Sequence, residues 1–423
     1  MTQPNSFSYQ KLFSHAAAEP RPLGAARRGK YDFAVAYPDP ASLPLDDLVS
    51  SLQQALSEEG RDLAVYGHIQ GYRPLRKWIA NKLARDRAIH VSADDIVLGD
   101  GSGQPIHMLI ETLVDPGDVL ITEDFVYSGT LQQMRRFRAD IRGVACDGEG
   151  MLPAVLEQVI QQAISEGKPP KFIYTVPTFH NPQGWTMSLA RRKAMVALAQ
   201  QYDVPILEDD CYWDLRYDGG DVPSLHALDG TGRVIYVSSF SKVIAPGMRL
   251  GYMTAPPDLL ARAVAAKSGG SVNTFAAFAV HRYATGHLNS HIEEINDIQR
   301  TKRDAMLAAL DEYFGPHGAT WSHPQGGLFI WLQLAEGVDV AAIRDKVLET
   351  ADVGYLPGNN FAPDGIAGKN RLRLCFGYNT PEEIGEGIAR LAAAFREEGV
   401  LGSSVISQCH SVKPNQPYCR CGF

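Results

Sequence analysis

The sequence predicts an α/β fold, with a large unit built on a mostly parallel sheet with crossover helices and a smaller α+β unit after it. Three observations carry this. From about residue 90 to 256, short apolar runs alternate with helix-length amphipathic segments, the pattern of strands joined by crossover helices. After about residue 285 the texture changes to a long helical stretch and then isolated apolar runs. Glycine, proline and serine fall where such elements must begin or end.

Taken in order, residues 1–45 show little period and read as an N-terminal arm that also supplies part of the small unit. Leu45 to Arg87 is helical around the interruption AVYGHIQGY. Strands are expected at VLITE, IRGVACD, KFIYTV, VPILED, RVIYVSS and LGYMTA, with helices near Leu131, Leu156 and Met195 between them. Pro153 and Ser188 sit where helices start, and Gly99 to Gly103 makes a glycine-rich turn from strand to helix. GGLFIWLQL, a helix, the strand RLRLCF and a last helix ending near Glu398 form the smaller unit. The expected boundaries are 46–290 for the large unit, 291–402 for the small one, and 403–423 for a disordered tail.

Bulk properties remove several function classes. A 423-residue chain with 45% hydrophobic and 21% charged residues is ordinary globular material, and its net charge of −8 argues against a nucleic-acid footprint. No run approaches the ~18 apolar residues of a membrane span, and the N-terminus lacks the pattern of a secretory signal, so a cytoplasmic location is expected. Six cysteines are too few and too scattered for a disulfide scaffold. Cys409, His410, Cys419 and Cys421 are zinc-ligand types, but their spacing matches no strong zinc pattern, and no metal is expected.

In doubly wound sheets ligands bind beyond the carboxyl ends of the strands. Four polar segments follow apolar runs in that way: Gly101 to Gln104, Asn181 to Gly184, Asp209 to Tyr212, and Ser239 to Lys242. Singly, each has an ordinary reading as a surface lysine, a capping aspartate or a turn. Their order and spacing say more.

These segments, with YGHIQGYRPLR at Tyr66 to Arg76, EDDCYWDLRY at Glu208 to Tyr217, SSFSKVIAPGMRLGY at Ser238 to Tyr252, PQGGLFIW at Pro324 to Trp331 and RLRLCFG near Arg373, resemble the fold-type I pyridoxal 5′-phosphate (PLP) enzymes. The resemblance is to aminotransferases similar to 2-aminoadipate and kynurenine aminotransferases, and it runs from about Phe33 to Glu398. It implies PLP bound as an imine to Lys242, which also serves as general base and acid, and Asp209 paired with the pyridine nitrogen. Asp210 fits less well, because the match places Tyr212 three residues after the functional acid. Tyr212 and Asn181 resemble the pair that bonds the phenolate oxygen of the cofactor. Ser102, Gly103 and Gln104, at a helix start, would cradle the phosphate together with Ser239, Ser241 and Arg249.

Tyr127 resembles the aromatic that stacks on the ring, and Tyr66 the tyrosine that reaches a neighbouring subunit's phosphate, which implies a homodimer with shared active sites. Arg373 looks like the arginine that grips the substrate α-carboxylate, beside Asn181 and Tyr37. Arg371 has the same strand parity, so periodicity alone leaves both arginines open. Two departures bear on the substrate: Val35-Ala36-Tyr37 replaces a common glycine pair, adding bulk, and the phosphate turn reads Gly-Ser-Gly-Gln rather than Gly-Ser-Gln-Gln.

The resemblance implies ping-pong transamination between an L-amino acid and a 2-oxo acid, with 2-oxoglutarate as acceptor. A lyase or oxidase on the same fold is the alternative. A transcriptional regulator carrying this fold is disfavoured by the net charge and by the short segment ahead of Phe33.

Overall fold

The computed structural model describes residues 8–13 and 27–402. The tail from 403 to 423, with Cys409, His410, Cys419 and Cys421, lies outside the described residues. A seven-stranded sheet runs in the order Ile96–Gly99, Gly251–Thr254, Val234–Ser239, Ile206–Asp209, Phe172–Thr175, Val119–Glu123 and Asp140–Val144. All of these strands share one direction except Gly251–Thr254, which is antiparallel to both of its neighbours. A sheet covered on both faces needs strands that are nearly continuous apolar runs, with polar residues toward their carboxyl ends here. Val119, Ile121, Ile173 and Ile206 pack into one core, while Leu120, Phe172, Tyr174 and Leu207 face the other.

Helix starts follow local chemistry. Pro153 opens the helix Pro153–Ser165, where its missing N–H costs nothing, and the Ser188 hydroxyl caps Leu189–Tyr202 by accepting from the Arg191 N–H at 3.3 Å. Thr380 and Glu383 form a reciprocal capping box on the last helix, Pro381–Glu397.

The second sheet is antiparallel, in the order Thr320–Trp321, Phe329–Gln333, Arg371–Cys375 and Leu356–Pro357. The strand Tyr31–Asp32 pairs with Val353–Gly354, so the chain segment that follows it, residues 33–37, enters from the side of this smaller sheet. A 40-residue helix, Thr274–Tyr313, packs against Leu45–Glu59, Arg73–Arg87 and Pro381–Glu397. Positions 290 and 291, the expected change of unit, lie inside that helix. Among the described residues no helix is long and apolar enough to cross a membrane.

Candidate active site

The carboxyl ends of the parallel strands converge on two adjoining cavities. The inner one, of about 190 Å³, is lined by Ser102, Gly103, Tyr127, Asn181, Asp209, Tyr212, Ser239, Ser241, Lys242 and Arg249 among others. The outer one, of about 430 Å³, is lined by Tyr37, Arg28, Asp32, Arg344 and Arg373, and it shares Ala36, Tyr127 and Lys242 with the inner one.

One end of the inner cavity is made of anion donors. The helix Gly103–Leu113 begins there, and by helix geometry the N–H groups of Gly103 and Gln104 have no partner within the helix. Gln104 turns its side-chain oxygen back to accept from the Asp100 N–H at 3.1 Å. Ser239 and Ser241 bond each other at 2.8 Å. Arg249 takes a left-handed φ of 51° and donates to the Asp100 carbonyl at 2.9 Å. This packing needs glycine at 101, because a Cβ there would meet Arg249 Nη2 at 2.8 Å on a backbone with φ +67°.

Asp209 closes the opposite end. It shares the face of Leu207 and Tyr174, and its Oδ2 accepts from the Tyr174 hydroxyl at 2.8 Å while its Oδ1 accepts from the Cys211 thiol at 2.8 Å. Burial pushes its carboxyl up to about 6 against the two hydrogen bonds, which favour the charged form. No ion pair to Asp209 is found among the described residues. Asp210 points elsewhere: it pairs with Arg87 at 2.9 Å and accepts from the Tyr236 hydroxyl at 3.1 Å.

Lys242, Asn181, Tyr212 and Arg373 meet where the cavities join. Lys242 Nζ donates to the Ala36 carbonyl at 2.8 Å. Burial pushes its ammonium below the usual lysine range, and Arg373 and Arg249 act the same way against Cys375 and Cys211. Arg373 Nη1 donates to Asn181 Oδ1 at 2.9 Å, and Nη2 to the Ala34 carbonyl. Because a guanidinium can only donate, that contact fixes the Asn181 amide, whose Nδ2 donates to the Tyr212 hydroxyl at 3.1 Å. Burial holds the Tyr212 hydroxyl protonated, and with its oxygen accepting from Asn181 its proton is free for another acceptor.

Arg371 shares the parity of Arg373 but lies over the Phe125 ring at 5.0 Å, outside both cavities, whereas Arg373 lies over Phe329 at 4.6 Å and Phe361 at 5.1 Å. Tyr37 lines the outer cavity, with the Arg28 guanidinium 4.9 Å from its ring and 4.8 Å from that of Tyr378. Tyr66, singled out in the sequence, stands apart: it is fully exposed and touches neither cavity. Trp213, which follows Tyr212, packs away from the site, with Lys82 Nζ 4.3 Å and Arg87 5.0 Å from its ring. Sequence reasoning missed Cys211, Tyr174, Arg28 and the carbonyls of Ala34 and Ala36. A Cys two positions from an acid carries no signal by itself, and backbone acceptors have no residue type to show.

The inner cavity fits PLP on its own donor set. Backbone N–H groups, two serines and an arginine suit a phosphate at one end. At the other, a buried carboxylate with no cation facing it suits a protonated pyridine nitrogen. Between them stand an amine of lowered pKa and a tyrosine hydroxyl with a free proton.

The family profile for aminotransferase class I and II matches residues 34–391. Aromatic-amino-acid aminotransferase 1 of Thermococcus litoralis is 36% identical over 364 residues, 85% of this chain and 87% of that protein. The 2-aminoadipate transaminase of Thermus thermophilus is 30% identical over 88% of this chain and 91% of its own length. A kynurenine aminotransferase of Pyrococcus horikoshii, solved in complex with PMP, superposes with a TM-score of 0.86 at 34% identity, covering 92% of this chain and 98% of that one. With a match of that extent, which takes in the whole inner cavity and most of the outer one, the chain belongs to the class I and II aminotransferases.

Proposed function

We propose that this PLP-dependent aminotransferase works as a homodimer and moves the amino group of an L-amino acid with an aromatic or long aliphatic side chain to 2-oxoglutarate, by a ping-pong mechanism. The observation that carries the reading is the position of Lys242. Its amine, biased toward the neutral form, stands at the junction of a phosphate-donor cavity and a cavity containing Arg373.

When bound, PLP supplies the electron sink that lets bonds at the amino acid Cα break. Asp209 would hold the pyridine nitrogen in its charged form. Ser102, Ser239, Ser241, Arg249 and the N–H groups of Gly103 and Gln104 would hold the phosphate, and a Tyr66 from a second copy of the chain would complete the cradle. Tyr127, next to the start of the helix Ser128–Arg136, would cover the ring and exclude water. Tyr212 and Asn181 would hold the phenolic oxygen. Burial lowers the Lys242 ammonium pKa, which makes Nζ the better nucleophile, and the same amine would remove and return the proton at Cα. Arg373, braced by Asn181, grips the α-carboxylate through two parallel bonds.

Both half-reactions use this one set of residues, so one product must leave before the second substrate binds. The outer cavity must therefore accept two different side chains. Its aromatic wall at Tyr37, backed by Arg28, favours flat or long apolar donors, in keeping with the aromatic-amino-acid and kynurenine aminotransferases this chain resembles. Steady-state kinetics with an aromatic donor and 2-oxoglutarate test the proposal. Parallel double-reciprocal lines are expected. Ammonia release or oxygen consumption matching donor loss, with no amino group appearing on the oxo acid, would move the chain to lyase or oxidase chemistry.

A further inference from the structure

Asp209 is held by two donors of very different kinds. The Tyr174 hydroxyl, which itself accepts from Thr130 Oγ1 at 3.2 Å, comes from the neighbouring strand Phe172–Thr175. The Cys211 thiol comes from the loop that immediately follows Asp209, is 9% exposed and lines the inner cavity. The Ser102 hydroxyl, at the phosphate end, approaches the same sulfur.

We propose that Cys211 is a positioning residue: its S–H fixes Asp209 Oδ1, so that the carboxylate is presented to the ring nitrogen of the cofactor in one orientation. The thiol acts as a hydrogen-bond donor and undergoes no covalent step. Burial pushes it well above the usual thiol range, so it keeps its proton. A weak, protonated donor has a definite use here. It orients the carboxylate while leaving most of its charge for the cofactor, whereas a cation in the same place would satisfy the carboxylate and compete for it.

The groups facing Asp209 bear on its ionisation. Tyr174 and Cys211 favour the charged form through their hydrogen bonds, while Asp210 and Glu123 oppose it, and Tyr127 faces it across the cavity. Removing the thiol donor leaves burial less opposed, so the carboxyl should titrate at higher pH.

The inference rests on Asp209 being the partner of the ring nitrogen, and the test reads cofactor binding rather than turnover. Full-length protein freed of cofactor is titrated with PLP, as wild type and as Cys211→Ala, Cys211→Ser and Asp209→Asn. Loss of a hydrogen bond to a charged group should weaken binding about tenfold in Cys211→Ala. Cys211→Ser, which restores a donor, should bind within about threefold of wild type, since a hydroxyl replaces the thiol at the same position. Equal losses in the Ala and Ser variants would show that Cys211 only fills space, and unchanged affinity in Cys211→Ala would show that the thiol is idle; either overturns the proposal. Unchanged affinity in Asp209→Asn would remove the underlying assignment and the proposal with it. Should Cys211→Ala not fold, the infrared S–H stretch of the wild-type protein, isolated by difference from Cys211→Ser, answers alone. It should move to lower frequency as Asp209 ionises, and a band indifferent to pH and to Asp209→Asn overturns the proposal.

Discussion

Replacing Arg373 by lysine isolates what the guanidinium does beyond carrying charge. In the free site two of its nitrogens are engaged, Nη1 by Asn181 at 2.9 Å and Nη2 by the Ala34 carbonyl, and the plane lies over Phe329 and Phe361. Lysine keeps the positive charge but presents one ammonium centre instead of a fork, so one of two parallel bonds to the α-carboxylate is lost. A charge-assisted hydrogen bond is worth about 1.5–3 kcal/mol, which corresponds to roughly a ten- to 150-fold fall in kcat/KM. Asn181 also loses the contact that fixes its amide, so some of the fall should appear in kcat through Tyr212. The assay is kcat/KM for chemically different donors, aromatic, aliphatic and acidic, and for the oxo acid. The α-carboxylate is common to them all, so the losses should be similar. A loss confined to one side-chain class would make Arg373 a specificity residue. A greater loss from Arg371→Lys, whose arginine lies over Phe125, would refute the assignment outright.

Three further outcomes are expected. Borohydride reduction followed by peptide mapping should find the pyridoxyl group on Lys242, and Lys242→Ala should retain none; a label on another lysine contradicts the site. The Asp209 carboxyl is raised from 3.8 to about 6, so the cofactor-free fold binds a proton that the unfolded chain has already released. Its burial therefore costs little below about pH 4, and the cost grows to about 3 kcal/mol as pH rises past 6. Asp209→Asn should then stabilise the cofactor-free protein in urea at pH 8 but not at pH 4, and equal midpoints at pH 8 would contradict the buried, uncompensated charge. Because Tyr66 is fully exposed within one chain, Lys242→Ala and Tyr66→Phe protomers should regain partial activity when mixed, and a fully active monomer in sedimentation would exclude shared sites.

The parts of this molecule visible in its sequence are those in which side-chain type follows backbone geometry. The apolar runs at VLITE, KFIYTV, VPILED and RVIYVSS fall on strands of the large sheet, because strands covered on both faces must be mostly apolar. The reversed direction of Gly251–Thr254 is not visible in that way, since a buried run reads the same in either direction. Strand parity could not separate Arg371 from Arg373; the choice depends on which ring lies beneath each arginine, Phe125 or the Phe329 and Phe361 pair. The same limit hid Tyr174, an unexceptional core residue until the register beside Asp209 is known. Tyr37 in the outer cavity could be anticipated from the bulk of its segment, but Arg28 against it could not, because nothing local marks an arginine that folds onto two tyrosines.

The segment between Phe33 and Tyr37 acts as a caliper. Two of its carbonyls, on residues 34 and 36, hold the working guanidinium and the working amine. The separation between the proposed carboxylate grip and the proposed nucleophile is thus gauged by main chain, anchored through Tyr31–Asp32 to Val353–Gly354. The side chains of Val35 and Tyr37 line the outer cavity, so on the proposed reading a change of wall there alters the donor while the two carbonyls keep their spacing.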